Sequence, residues 1–210
     1  KEVIELMRLF WEELPKDRKD RRLNHYDTDG REYIFALNEE FGMDMAYFPA
    51  SPFQTPIGSM LSHEELLDKN GLQTLDFIID FTDNCVKAYS ERDKLDHKTV
   101  IPVKLSDGSQ HEVISSQSLW NLYRGTQSYT IPNMMESYHM ALESYLLRAS
   151  DNKQQLPDWE RLSMLLWRIL NNSHSSSLYS IVASIVTAHP EQLFDELMFL
   201  CQDIRFLSYD

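Results

Sequence analysis

Hydrophobic positions change their spacing several times along the chain, and each spacing predicts a different element. Val3, Leu6, Met7, Phe10 and Leu14 share one face of a helical projection, with Glu2, Glu5, Arg8, Glu12 and Glu13 mostly elsewhere. Residues 2–14 therefore read as an amphipathic helix that Pro15 stops. A polar, charge-rich stretch runs to Gly30, and residues 31–41 read as a short helix ended by Gly42. Across residues 43–60, Pro49, Pro52 and Pro56 punctuate aromatic and apolar residues, which predicts a packed irregular loop. Residues 75–89 return to a helical period, with Leu75, Ile78, Ile79, Cys85, Val86 and Tyr89 on one stripe. Phe77 and Phe81 widen that stripe, so this helix is expected to be covered on more than one side.

The period then falls to two. Residues 100–105 and 110–114 read as strands, joined by a turn whose signal is Asp107-Gly108. Pro102 places its strand at an edge or bulge. Two strands are marginal alone, so the hairpin is expected to lean on the helices or on another part of a larger protein.

Residues 131–210 are the most regular. Pro132 opens a helix with Met134, Tyr138, Ala141, Leu142 and Tyr145 on one face, and Pro157 opens another with Leu162, Leu165, Leu166 and Ile169 inward. Ser173 to Ser177 offer hydroxyls for a turn and an N-cap. Leu178, Ile181, Val182, Ile185 and Val186 form an i, i+3, i+4, i+7, i+8 stripe, and the intervening Ser180, Ala183, Ser184 and Ala188 are small enough for neighbours to approach closely. Pro190 is expected at the first position of a last helix, with Leu193, Phe194, Leu197, Met198 and Cys201 inward. Short joints make successive helices antiparallel neighbours.

The expected fold is thus mainly α. Antiparallel helix pairs stack as an irregular α-solenoid-like array, with one β-hairpin inserted at about residues 100–114. Residues 1–130 form the irregular, loop-rich part and residues 131–210 the stacked helical hairpins. Lys1 enters directly into an amphipathic pattern, and the apolar Phe206-Leu207-Ser208-Tyr209 runs up to Asp210, so both ends read as boundaries within one continuous piece of a larger protein.

Composition narrows the function classes. The chain of 210 residues is 42% hydrophobic and 25% charged, values of a globular protein rather than a disordered one. Its net charge of −13 argues against nucleic acid or anionic membrane as partner, because phosphate binding depends on Lys and Arg. The basic run from Lys16 to Arg22 reads as a solvated linker. Cys85 and Cys201 both fall in apolar helical patterns, which fits buried reduced thiols in the cytoplasm. No stretch is apolar enough to span a membrane.

Tests for catalytic and metal chemistry fail one after another. His25-Tyr-Asp27-Thr-Asp29-Gly30 echoes a calcium loop, but aligning Gly30 as the sixth position puts His25 first and Ala36 last, where oxygen donors belong. An Asx-type turn explains it better. The seven histidines show no zinc spacing. His63-Glu64-Glu65 reads as the opening of a short helix. Ser173-His174-Ser175 is rich in nucleophiles, yet capping accounts for its hydroxyls, and a triad is recognised by geometry. No phosphate-binding glycine loop occurs. No catalytic, cofactor-binding or metal-ligating residue is therefore assigned. Two aromatic segments remain as candidate interaction patches: Trp120, Tyr123 and Arg124, and the Phe53 region, since Trp, Tyr and Arg dominate interface hot spots. For the former, a short helix with Trp120 and Tyr123 packed inward and ended by Gly125 is the competing reading.

Several segments in order carry a resemblance: Ser51-Pro-Phe-Gln-Thr-Pro56, Leu75-Asp-Phe-Ile-Ile-Asp-Phe-Thr82, Ser118-Leu-Trp-Asn-Leu-Tyr-Arg-Gly-Thr126, Met140-Ala-Leu-Glu143, and Val182-Ala-Ser-Ile-Val186 followed by Ala188-His-Pro190. Together, over about residues 45–210, they resemble the helical region of very large bacterial ATP-binding proteins of the STAND type, several of which act in anti-phage defence. The resemblance implies a scaffold or sensor segment whose partners are other domains of the same protein and a protein trigger. It transfers no catalytic residue and implies no cofactor in this segment. Two alternatives stand beside it: an enzyme with a hydrolytic site built from carboxylates such as Asp27 or Asp29 and a histidine, and a stand-alone adaptor whose hairpin lends an edge strand.

Overall fold

The computed structural model describes residues 57–91, 95, 97–105, 107–124, 133–150 and 158–206. Over these described residues the fold is mainly helical with one two-stranded antiparallel sheet. Helix α1 spans Ile57–Glu91, strands β1 and β2 span Thr99–Lys104 and Gln110–Ser115, and α2 spans Gln117–Trp120, followed by a 3-10 turn at Leu122–Arg124. Helices α3, α4, α5 and α6 then cover Asn133–Ser150, Trp159–Asn172, Ser176–Ala188 and Phe194–Leu200, with a second 3-10 turn at Ile204–Phe206. The expected helices over 2–14 and 31–41, the basic run, the calcium-like loop with Asp27 and Asp29, and Phe53 lie outside the described residues.

Helix α1 begins earlier than the apolar stripe does. Residues 57–60, expected in an irregular loop, are helical, and His63-Glu64-Glu65 lies inside α1 rather than opening a helix. Pro56 directly precedes the first turn, where a missing N–H breaks no helical bond. The helix is broken at Asn70, whose φ of −139° and ψ of 43° leave helical space, and the Thr74 hydroxyl donates to the Leu66 carbonyl across that break at 3.1 Å. Beyond it Leu75, Phe77, Ile78, Ile79, Phe81, Cys85, Val86 and Tyr89 are all buried. That helix is covered on more than one side: Phe77 and Phe81 both lie edge-on to Tyr138 of α3, at 5.6 and 5.4 Å, and the helix also meets α4 and β2.

Helix α5 is the centre of the molecule. It packs against α2, α3, α4, α6, β2 and both 3-10 turns. Its aliphatic stripe is fully buried, and so are Ser176, Ser177, Ser180 and Ala183 on its other faces. Small side chains there let neighbours close in on several sides, so within the helix only Thr187 and Ala188 of the last turn are exposed. Asp158 caps α4 by accepting from the Arg161 N–H, so the helix starts at Trp159, two positions past Pro157.

The last helix starts later than Pro190 predicts. Pro190 lies in a turn closed by the Leu193 N–H to His189 carbonyl bond, and α6 starts only at Phe194. Leu193 is buried as expected and Leu197 partly so, but the buried positions of the helix itself are Glu196, Phe199 and Leu200. Phe194 and Met198, expected inward, are 58% and 51% exposed, and Cys201 is exposed rather than buried. Among the described residues no helix is long and apolar enough to cross a membrane.

Candidate functional site

The densest polar construction among the described residues is the serine-rich joint between α4 and α5. Ser173 and Ser175 are extended, with φ, ψ of −84°, 139° and −120°, 129°, which ends one helix and caps the next. An extended joint can pair like a strand, and here it bridges Ile114 of β2, whose N–H donates to the His174 carbonyl at 2.8 Å. On the opposite side Asp83 of α1 accepts from the Ser173 hydroxyl at 3.0 Å and from the His174 N–H at 3.0 and 2.9 Å. The joint is thereby clamped between α1 and the hairpin. Burial pushes the Asp83 carboxyl up to about 6, against the lowering effect of those bonds.

Two histidines cover the outer side. The Tyr179 hydroxyl donates its proton to the Leu170 carbonyl at 2.7 Å, so it can only accept from His111 Nε2, 2.9 Å away. His174 Nδ1 donates to the Glu112 carbonyl at 2.9 Å. Their rings are 4.9 Å apart, and burial, then the neighbouring His174, hold His111 below the usual imidazole range.

The inner side carries a serine–histidine pair that no sequence motif announced. His139 of α3 meets the Met135 carbonyl with Nδ1 at 2.6 Å and Ser177 Oγ with Nε2 at 2.9 Å. A carbonyl only accepts, so Nδ1 carries the proton and Nε2 accepts from the Ser177 hydroxyl. Ser175 Oγ, 2.7 Å from Ser177 Oγ, must in turn donate to it. The result is one directed chain, Ser175 to Ser177 to His139 to Met135. Its geometry is that of a nucleophile and base oriented by a third group. Yet His139, Ser175 and Ser177 are all at 0% exposure, so no substrate reaches Ser177 Oγ in this arrangement. Burial also holds His139 down at about 4, which keeps the ring neutral near pH 7.

The aromatic patch expected at residues 120–124 divides. Trp120 is 2% exposed and stacks on Phe206 with ring centroids 6.2 Å apart, so it belongs to the core and not to a surface patch. The reason is α2, which Ser116 caps by accepting from the Leu119 N–H, turning Trp120 toward α5. Tyr123 is half-buried and Arg124 exposed, the guanidinium donating to the Tyr123 hydroxyl at 3.0 Å. Among the described residues no three His, Cys, Asp or Glu side chains are placed to hold a metal ion.

The outer surface carries apolar side chains that helical spacing places inward. Phe194, Met198 and Ile204 are exposed large apolar side chains, with Cys201 exposed between the last two. Phe194, Met198 and Cys201 follow an i, i+4, i+7 spacing, which fits an exposed stripe as well as a buried one. No protein-family profile matches the chain, and no curated protein matches its sequence.

Proposed function

We propose that the chain is a non-catalytic scaffold or sensor segment that acts through protein–protein contacts, as an α-solenoid-like helical array within a larger cytoplasmic NTP-binding protein. The observation that carries the reading is the closure of the serine–histidine chain. The pair with nucleophile geometry is sealed at 0% exposure and each of its protons is committed to an internal acceptor. Polar groups used this way specify how α3, α5 and the joint fit together. Apolar side chains meanwhile stand exposed at the C-terminal end, as a contact surface requires. The resemblance to the helical region of STAND-type proteins supplies the larger context, including a role in anti-phage defence.

The rival in which the hairpin lends an edge strand is disfavoured by the edge itself. Gln202 uses its carboxamide to accept from the Lys104 N–H at 3.3 Å and donate to the Lys104 carbonyl at 3.1 Å. Lys104 therefore points its backbone groups away from β2, and by alternation Pro102, which has no N–H, faces the same way. One edge position is occupied and the next lacks a donor.

The test is enzymatic. Purified protein is expected to turn over neither ATP nor activated esters above background. Hydrolysis that disappears in Ser177→Ala, with helicity retained by circular dichroism, would overturn the scaffold reading. The NTP-binding context is lost if the longer protein contains no P-loop.

A further inference from the structure

We propose that His111 of β2 and His174 of the joint between α4 and α5 form a two-histidine site for a divalent transition-metal ion of the zinc class. No local spacing announces it. The two residues come from distant parts of the chain, and only the pairing of the joint with β2 brings their rings to 4.9 Å. The inference does not depend on the scaffold reading, since neither ring belongs to the Ser177–His139 chain.

Hydrogen bonding leaves each ring one bare nitrogen. The Tyr179 hydroxyl gives its proton to the Leu170 carbonyl, so His111 Nε2 carries the hydrogen of the 2.9 Å contact with Tyr179 and Nδ1 keeps its lone pair. The Glu112 carbonyl can only accept, so His174 Nδ1 carries a hydrogen and Nε2 keeps the lone pair. Neither bare nitrogen has a hydrogen-bond partner among the described residues. An N–H fixed on an oxygen acceptor, with the other nitrogen open, is how proteins present histidine to a metal. The bond sets the tautomer, orients the ring and raises its basicity as a ligand. Both rings have it here.

The spacing agrees. Two imidazoles on one ion, with metal–nitrogen bonds of about 2.0–2.1 Å meeting between a right angle and the tetrahedral one, have ring centroids roughly 4.5–5.2 Å apart. The observed 4.9 Å falls inside that range. His174 is exposed and His111 half-buried, so an ion can reach them from solvent. Asp83 accepts from the His174 N–H on the other side of the joint, and its charge favours a cation over an anion. No third His, Cys, Asp or Glu side chain joins the pair among the described residues, so water fills the remaining positions. Imidazole nitrogens select zinc, nickel or copper over magnesium and calcium. With one ligand on β2 and the other on the joint, the bound ion ties the hairpin to the helical body.

Isothermal titration of the full, chelator-treated chain with zinc chloride is expected to show one site, while magnesium chloride gives no heat of binding. In long-range proton–nitrogen NMR spectra, zinc should move His111 Nδ1 and His174 Nε2 together and leave the buried His139 ring unmoved. His111→Gln keeps a donor toward Tyr179, and His174→Asn keeps one toward the Glu112 carbonyl, so each removes a bare ring nitrogen and spares the hydrogen bond. Each should weaken zinc binding by about tenfold or more, at least what the loss of an orienting partner costs. Zinc should also raise the thermal midpoint of the unaltered protein and of neither variant. Absence of zinc binding, a shift at one of the two rings alone, or undiminished affinity in either variant overturns the proposal. Equal binding of magnesium points to carboxylate oxygens and overturns it as well. Should a variant lower the zinc-free midpoint, the spectra of the unaltered protein decide. Zinc binding and Ser177-dependent hydrolysis are read separately, so this site and the scaffold reading can each fail alone.

Discussion

His139 shows how one residue couples packing to pH. Its ring is fully buried, its Nδ1 proton is committed to Met135 and its Nε2 to the Ser177 hydroxyl. A second ring proton would have to displace the Ser177 proton in a fully buried site, so the neutral form is favoured and the ring is held at about 4 from an ordinary 6.5. A histidine held down in the fold contributes stability that is present above pH 6.5 and lost as pH falls toward 4. That fall corresponds to on the order of 3 kcal/mol. His139→Gln should keep both hydrogen bonds without titrating, its amide donating to Met135 and its carbonyl accepting from Ser177. Urea denaturation between pH 7 and pH 4 is expected to show a shallower decline for the variant. Asp83 works in the opposite direction, since a carboxyl held up at about 6 gains stability as pH falls through 6, but it is common to both proteins and cancels in the difference. Parallel stability curves would refute this account of His139.

At the scale of elements, α5 is where period and packing agree most fully. Leu178, Ile181, Val182, Ile185 and Val186 are all at 0% exposure, with α2, α3, α4, α6 and β2 around them. Ile185→Ala should therefore cost about 2–5 kcal/mol, read from the urea midpoint, because an enclosed site cannot collapse onto the void. A loss near zero would mean that the side chain does not fill core volume. The contrast with α6 explains what was legible in the sequence and what was not. In α5 the faces beside the stripe are buried as well, by Ser176, Ser177, Tyr179, Ser180 and Ala183, so a shift in rotation changes little. In α6 apolar residues lie on two faces, Phe199 and Leu200 on one and Phe194 and Met198 on the other, and spacing alone does not say which is buried. Strands β1 and β2 were legible within one residue because Asp107-Gly108 fixes the turn, with Gly108 at φ +85° in space that side chains avoid. The break at Asn70 left no sequence signal beyond a neighbouring glycine. At Gly71 an added Cβ would stand 3.2 Å from the Tyr145 hydroxyl, so the glycine admits a close approach of α3.

For the whole molecule, the joint at Ser173–Ser177 makes the hairpin part of the helical body. Capping of α5 by the Ser175 hydroxyl could be read from the serines alone. The contacts of Asp83 with His174 could not, because they span 91 positions and nothing in either local pattern points to the other. The same holds for Arg168, which grips Asp76 of α1 with two hydrogen bonds across 92 positions. A two-stranded sheet alone opens readily in water. Here Ile114, His174, Glu112, His111 and Tyr179 tie β2 to the joint and to α5, while Asp83 ties the joint to α1. Opening the hairpin therefore requires releasing the joint, and the joint is continuous with the core helix. Hydrogen exchange followed by NMR is expected to give the Ile114 amide, which donates to the His174 carbonyl at 2.8 Å, protection close to that of Ile181 in α5. Asp83→Ala removes the acceptor of the Ser173 hydroxyl and of the bifurcated His174 N–H, and should lower Ile114 protection selectively, by about 1–3 kcal/mol, before α5 is affected. An Ile114 amide that exchanges orders of magnitude faster than Ile181 in the unaltered protein would mean that the hairpin opens on its own, and the joint would then be a contact and not a clamp.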